Sequence, residues 1–287
     1  MKLRLIDILL AVAFTLSLCN AQDNVLHATQ DNGTWLIIDS ADVPTQKHHT
    51  NHEAILKKYA DGYNLSVIKA IDVVQSHAMD GGGYFTGMTA TPTESPIGYE
   101  LRLFDKPLLN PPRTTSYCSG STYGVFIEAL NRIFPEGNKK LSEDRYESLR
   151  MQELDGGRRE DRIKYWGKWN DDGWGSQYAL VQYSGMGEDI PPERARPGDF
   201  MNIAWTFGNG HSVVFLGWIM KENQLGLVYW ASQKSTNGFG DVVLWPLSKV
   251  KDVRIVRITH PEKVFSFDVS TPVNRDIPGV KIEPPKK

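Results

Sequence analysis

Residues 116–135 read SYCSGSTYGVFIEALNRIFP, and their spacing decides the architecture. Val125, Phe126, Ala129, Leu130, Ile133 and Phe134 recur at helical intervals, the pattern of a helix with one apolar face. Pro135 cannot continue a helix, because it has no N–H and its ring clashes with the preceding turn. The stretch therefore predicts a helix that begins near Cys118 and stops at Phe134.

The text on either side differs in kind. Upstream, Ala54, Ile55, Leu56 and Tyr59 form one helical pattern, Asp61-Gly62 interrupts it, and Leu65, Ile68, Ala70, Ile71, Val73 and Val74 form a second. Gly81-Gly82-Gly83 reads as a flexible turn ending that region, with Tyr84 and Tyr99 as candidates to line a cleft. Residues 84–116 are punctuated by Pro92, Pro96, Pro107, Pro111 and Pro112, and Gly98 to Phe104 alternates as a strand does. A charged helical stretch and a tryptophan-rich loop fill residues 136–175, and Gln177 to Tyr183 extends the helical pattern. Beyond residue 196 come short β-branched or aromatic runs: Phe200–Phe207, Ser212–Met220, Leu225–Trp230, Val242–Trp245 and Val253–Ile258. Glu222-Asn223 reads as a hairpin turn between two of them. Helices first and strands after predict an α+β fold rather than alternating βαβ units.

The amino terminus adds a compartment. Lys2 and Arg4 precede an apolar run from Ile8 to Cys19, and Asn20-Ala21-Gln22 follows. Basic start, apolar core and small exit residue describe a secretory signal peptide. The apolar run is shorter than the ~20 residues a membrane-spanning helix requires. Cleavage is expected after Ala21, giving a secreted or periplasmic protein; a lipoprotein anchored through Cys19 is disfavoured by the bulky Leu18. The expected divisions are a signal peptide at 1–21, a mostly helical region at 22–95, a main domain at 96–262 and an extended Pro-rich tail at 263–287.

The chain has two cysteines, and one leaves with the signal. Cys118 then has no partner for an internal disulfide, and a lone thiol in an exported protein is either a buried small hydrophobe or a reactive group. The net charge is −2; Lys2, Arg4 and Asp7 sum to +1, so the mature chain carries about −3. That balance excludes a basic footprint for nucleic acid, and no later run is long and apolar enough for a stable membrane span.

The position of Cys118 favours reactivity. At a helix amino terminus a thiol faces N–H groups without intrahelical partners and the positive end of the dipole. Both stabilise thiolate, lowering the pKa from its free value of about 8.5. The same N–H groups can hold an oxyanion on a carbon attacked by the sulfur. Two further segments complete a constellation. Arg196-Pro197-Gly198-Asp199-Phe200 leads into a strand, and Gly208-Asn209-Gly210-His211 places an imidazole at the opening of the next. Val228-Tyr229-Trp230-Ala231-Ser232-Gln233 is the neighbouring strand, from which a polar side chain can fix the imidazole tautomer.

Cys-Ser-Gly at a helix start, then Pro-Gly-Asp-Phe, then Gly-His followed by apolar strand residues and Gly217, resembles the bacterial papain-like amidases and peptidases of the NlpC and CHAP kind. The resemblance covers roughly residues 113–245. It implies a papain-like fold, with the nucleophile-bearing helix packed on a small antiparallel sheet and an amino-terminal helical extension. It also implies Cys118 as nucleophile, His211 as base and Gln233 as orienting residue, with Ser232 and Asn237 as substitutes for the last. Tyr117, Ser119, Gly120, Ser232 and Asn237 are the expected oxyanion or cleft residues. The implied partner is a peptide or peptidoglycan-like substrate, with no cofactor and no metal. The long insert between the helix and Pro197, and residues 22–110, have no counterpart in the family pattern. The alternative is a catalytically silent cell-wall or glycan binding module on the same fold.

Other signals read more plainly. His48, His49 and His52 lie close in sequence but lack a His-Glu-x-x-His pattern, and a solvated helix start explains them better than a metal site. Trp166, Trp169 and Trp174 are either a carbohydrate-stacking surface or core packing. Asn32-Gly33-Thr34 and Asn64-Leu65-Ser66 match glycosylation sequons. No Gly-x-Ser-x-Gly elbow is present.

Overall fold

Helix α3 (Cys118–Ile133) forms where the spacing puts it. The computed structural model describes residues 35–85, 97–109, 115–151, 165–166 and 173–284. The expected signal peptide, Asn32 and Trp169 lie outside the described residues. Tyr117 enters α3 in extended conformation, and the Ser121 N–H gives its carbonyl a bond of 2.9 Å. Val125, Phe126, Ile127, Ala129 and Leu130 are buried, each large apolar side chain contributing about 1.5–3 kcal/mol. Trp166 stacks on Phe126 at 5.1 Å and meets Phe200 edge-on at 5.0 Å. Trp166 and Trp174 are both buried, so they pack the core and offer no stacking surface for a sugar.

Helices α1 (His52–Leu56) and α2 (Asn64–Ser76) are the two amino-terminal helices the sequence predicts. Val67, Ile71 and Val74 of α2 share one apolar core with Phe126 and Leu130 of α3. A short α4 (Glu143–Ser148) follows. The helical pattern expected at Gln177 to Tyr183 starts earlier, with a helical turn at Gly175–Gln177, and widens into a π-helix over Tyr178–Tyr183.

Strands β1 (Leu101–Leu103) and β2 (Lys106–Leu109) make a small hairpin. The main sheet contains β3 (Gly187–Asp189), β4 (Phe200–Trp205), β5 (Gly210–Lys221), β6 (Gln224–Gln233), β7 (Gly238–Leu244) and β8 (Val250–Ile258). Their spatial order is β3-β8-β4-β5-β6-β7, with every pairing antiparallel. The β5–β6 turn is Glu222-Asn223 as expected, with φ of 51° and 60°, the left-handed pair of a two-residue hairpin. The architecture is mixed helix and antiparallel sheet, compatible with α+β.

Both faces of the sheet are covered. Val214, Leu216, Val228 and Trp230 face the helices, while Val213, Phe215, Tyr229 and Ala231 face a second apolar cluster with Met201, Ile203 and Ile255. A register shift between Phe215 and Gly217 puts Trp218 on the same face as Phe215, because one extra residue reverses the alternation.

Asp199 of the Pro-Gly-Asp-Phe segment is fully buried. It accepts from Arg257 Nε at 2.8 Å and Nη2 at 2.9 Å, from Asn64 Nδ2 at 2.8 Å and from the Arg196 N–H at 2.7 Å. This satisfied carboxylate ties the start of α2 to β4 and β8. Asn64 is wholly buried in that contact, so its sequon is closed to a glycan in the folded protein. The carboxyl-terminal segment is held against the rest of the chain. Pro261–Phe265 forms a 3-10 turn, and Val280 exchanges two 2.8 Å backbone bonds with Val253. Tyr178 and Tyr183 hydroxyls hold it at Arg275 O and Val269 O, each at 2.9 Å.

Candidate active site

Strand β5 begins, and β6 ends, at the edge of the sheet where α3 starts. Two hydroxyl contacts dock the helix there. Thr122 Oγ1 meets Ser212 Oγ at 2.8 Å, and Ser121 Oγ accepts from the Ser232 N–H at 3.0 Å. Ser212 and Ser232 are the sequence neighbours of His211 and Gln233. Thr122 lies one helical turn, roughly 6 Å along the axis, beyond Cys118. The sheet end carrying the imidazole and the helix end carrying the thiol are thereby locked together, through four small hydroxyl residues that a sequence pattern does not mark.

Cys118 is half-buried, at the first position of α3. No side chain caps the helix from Tyr117, which leaves first-turn N–H groups to serve whatever accepts at the thiol. His211 Nε2 lies 3.2 Å from Gln233 Oε1. The direction of that bond is set by Gln233 itself: its Nε2 donates to Thr236 Oγ1 and, at 3.2 Å, to Gly240 O. With the amide nitrogen committed, Oε1 is the acceptor and His211 Nε2 must carry the proton. Nδ1 then holds the free lone pair, the state a general base requires. Trp205 lies over the imidazole at 6.3 Å and 28°, and Tyr229 meets it edge-on at 5.6 Å. Burial pushes the His211 pKa down to about 4, against the opposing effect of its hydrogen bond to Gln233, so the ring is neutral at pH 7. Tyr229 is raised well above the ordinary phenol range, first by burial and then by the negative charge of Cys118. The phenol therefore stays neutral and close enough to sense the sulfur.

The other expected cleft residues take different parts. Ser232 is fully buried, with its hydroxyl 2.7 Å from Ser116 Oγ. It faces the helix because alternate strand residues point to opposite faces, so it joins α3 to β6 and does not hold His211. Tyr117 is buried; its hydroxyl reaches Met151 Sδ at 3.8 Å and its ring meets Phe85 edge-on at 5.1 Å. Ser119 and Gly120 are buried in the first turn. Asn237 takes the left-handed position of a turn, φ 51°, and its carbonyl accepts from the Gly83 N–H at 2.6 Å. Gln233 is thus the one of the three candidates seen bonded to His211.

Gly81-Gly82-Gly83 is no loose turn. Its φ values are 90°, 73° and 93°, and the segment threads between the approach to Cys118 and the β6–β7 turn. Gly83 O accepts from the Ser116 N–H at 3.0 Å and Gly81 O from the Phe239 N–H at 3.0 Å. Side chains are barred by space: a Cβ on Gly81 would sit 2.4 Å from Thr236 O. Tyr84 pairs with Ser116 in a bridge beside the thiol, whereas Tyr99 stacks on His77 at 3.7 Å.

The histidines near residue 50 also differ from the expectation of a solvated helix start. His49 and His52 are buried and stacked at 4.1 Å. Together with Asp241 they offer ligand atoms within 4.8 Å of one another, a grouping compatible in composition with a divalent cation. Asp241 lies on β7, 189 residues from His52, beyond the reach of any local motif. Comparison of the chain with protein-family models, with curated proteins and with solved structures finds no match.

Proposed function

We propose that the protein is a cysteine hydrolase of papain-like type, acting on an amide or peptide bond, in which Cys118 is the nucleophile, His211 the base and Gln233 its orienting partner. The observation that carries this reading is the His211–Gln233 bond of 3.2 Å, with its direction set by the two acceptors of the Gln233 amide. It leaves the imidazole with a lone pair at Nδ1, on the strand end that the Thr122–Ser212 and Ser121–Ser232 contacts dock to the helix starting at Cys118. A cysteine that merely filled space would need none of this.

In this reading His211 Nδ1 takes the Cys118 proton and the sulfur adds to the substrate carbonyl carbon. The carbonyl electrons pass to oxygen, which first-turn N–H groups of α3 hold. The oxyanion then collapses, the C–N bond breaks, and the imidazolium gives its proton to the leaving amine. Water, deprotonated by His211, releases the acyl group and restores the thiol. Export through the amino-terminal leader, read from its basic start and apolar run, and a peptidoglycan-like peptide substrate, implied by the resemblance, belong to the same proposal.

The test is alkylation of Cys118 by iodoacetamide between about pH 5 and pH 9, in wild type and His211→Ala. A reactive pair alkylates well below the free-thiol midpoint of about 8.5 and slows when His211 is lost. An ordinary thiol curve in both proteins would refute the pair and favour a binding module, whose ligand affinity would survive Cys118→Ala.

A further inference from the structure

The His49, His52, Asp72 and Asp241 cluster is not used by the proposed reaction, and its hydrogen bonds define what it holds. His52 Nδ1 lies 2.6 Å from Asp72 Oδ1 and His52 Nε2 lies 3.1 Å from Asp241 Oδ1. A carboxylate can only accept, so both ring nitrogens donate and His52 is an imidazolium. His49 Nε2 lies 2.9 Å from Asp241 Oδ2, while its Nδ1 accepts from the Asn51 N–H at 3.1 Å. His49 is therefore the neutral Nε2–H form. Each ring nitrogen of the two histidines thus has a hydrogen-bond partner in the cluster or its backbone.

The same residues border the catalytic strand ends. The Asp241 N–H donates to Lys47 O at 2.9 Å, and a Cβ on Gly240 would stand 2.7 Å from that carbonyl oxygen. Gly240 is thus pressed between the histidine-bearing segment and the β6–β7 turn. Its own carbonyl accepts from Gln233 Nε2, the bond that turns Gln233 Oε1 toward His211. We propose that His52 and Asp241 are positioning residues for the site: their ion pair seats β7 at Gly240, Gly240 O fixes Gln233, and Gln233 fixes the His211 tautomer. This rests on the reading of His211 as the base. Burial pushes the His52 pKa down, but Asp241 and Asp72 outweigh it and raise it to about 9. The other groups around the cluster are His49, the Glu53–Lys69 pair at 3.1 Å, His48 on Phe239 O at 2.9 Å and Lys47 on Ser235 O at 3.1 Å.

The experiment reads histidine tautomers by 15N NMR in the full chain, wild type and Asp241→Asn, with cooperative thermal unfolding as the fold control. The wild type should show a doubly protonated His52 at neutral pH and a single Nε2–H tautomer at His211. Asp241→Asn should mix the His211 tautomers and slow Cys118 alkylation at pH 6 by about tenfold, one unit of thiol pKa. The proposal is overturned if a folded Asp241→Asn keeps the single tautomer, if His52 is neutral, or if the purified protein carries one equivalent of zinc that Asp241→Asn loses. Should Asp241→Asn not fold, His52→Gln is read in the same way, and a folded His52→Gln that keeps the single His211 tautomer refutes the linkage. An ordinary wild-type alkylation curve with an intact tautomer response would instead sink the catalytic reading and leave the positioning chain standing.

Discussion

The Thr122→Val substitution tests how α3 is docked. The Thr122 hydroxyl is fully buried and placed to donate within α3, to Ser119 O at 3.1 Å. It receives the Trp166 indole N–H at 3.0 Å and pairs with Ser212 Oγ at 2.8 Å. Valine keeps the shape and removes the oxygen. The indole N–H, a donor with no alternative role, is stranded in the core, and the Ser212 hydroxyl loses its contact across the helix–strand junction. A buried polar group left unpaired costs about 1–3 kcal/mol, so two of them, offset by the methyl gained, predict a net loss of roughly 2–4 kcal/mol. At this chain length each kcal/mol moves Tm by about 2–4 °C, so Tm should fall by roughly 4–16 °C. Ser212→Ala removes one of the two contacts and should cost about 1 kcal/mol, with the double variant less destabilised than the sum of the singles. The assay is urea unfolding followed by tryptophan fluorescence, with calorimetry as a check. A Thr122→Val protein whose midpoint matches wild type would refute the docking account, because nothing else in the junction replaces that oxygen.

Two further outcomes follow from backbone crowding and from proton linkage. Gly238 has φ 113°, and a Cβ there would fall 1.8 Å from Gly81 O; Gly238→Ala should cost at least about 3 kcal/mol and yield little folded protein, and near-native solubility with an unchanged urea midpoint would contradict the crossing described. In a Cys118→Ala background His211 stands without the thiolate, its pKa held at about 4 by burial against an ordinary 6.5. The unfolded chain binds the proton first as pH falls, so stability is full above about pH 6.5 and should drop by about 3 kcal/mol toward pH 4; His211→Gln in the same background should flatten that part of the curve, and an unchanged slope would show that His211 is not the group titrating.

What the sequence determined by itself is local. Apolar spacing is a property of neighbouring residues, so α2, α3 and the strands from Phe200 to Ile258 are legible without a partner in view, as is the Glu222-Asn223 turn, whose residues tolerate left-handed backbone. Cys118, His211 and Gln233 could be named because each sits at the end of such an element. Tertiary structure alone decided what those ends touch. Strand pairing put Gln233, and not Ser232, against His211, since side chains alternate between faces and only one parity meets the imidazole, while Asn237 lies beyond the strand in the left-handed position of a turn. Asp241 turned a run of histidines that reads as solvated into a buried ion pair across 189 residues. Thr236 and Gly240 set the Gln233 amide, and Ser121, Thr122 and Ser212 set the helix on the sheet, by single hydrogen bonds that leave no periodic trace. Burial and hydrogen-bond direction are relations between distant segments, and a linear sequence states only the residues available to make them.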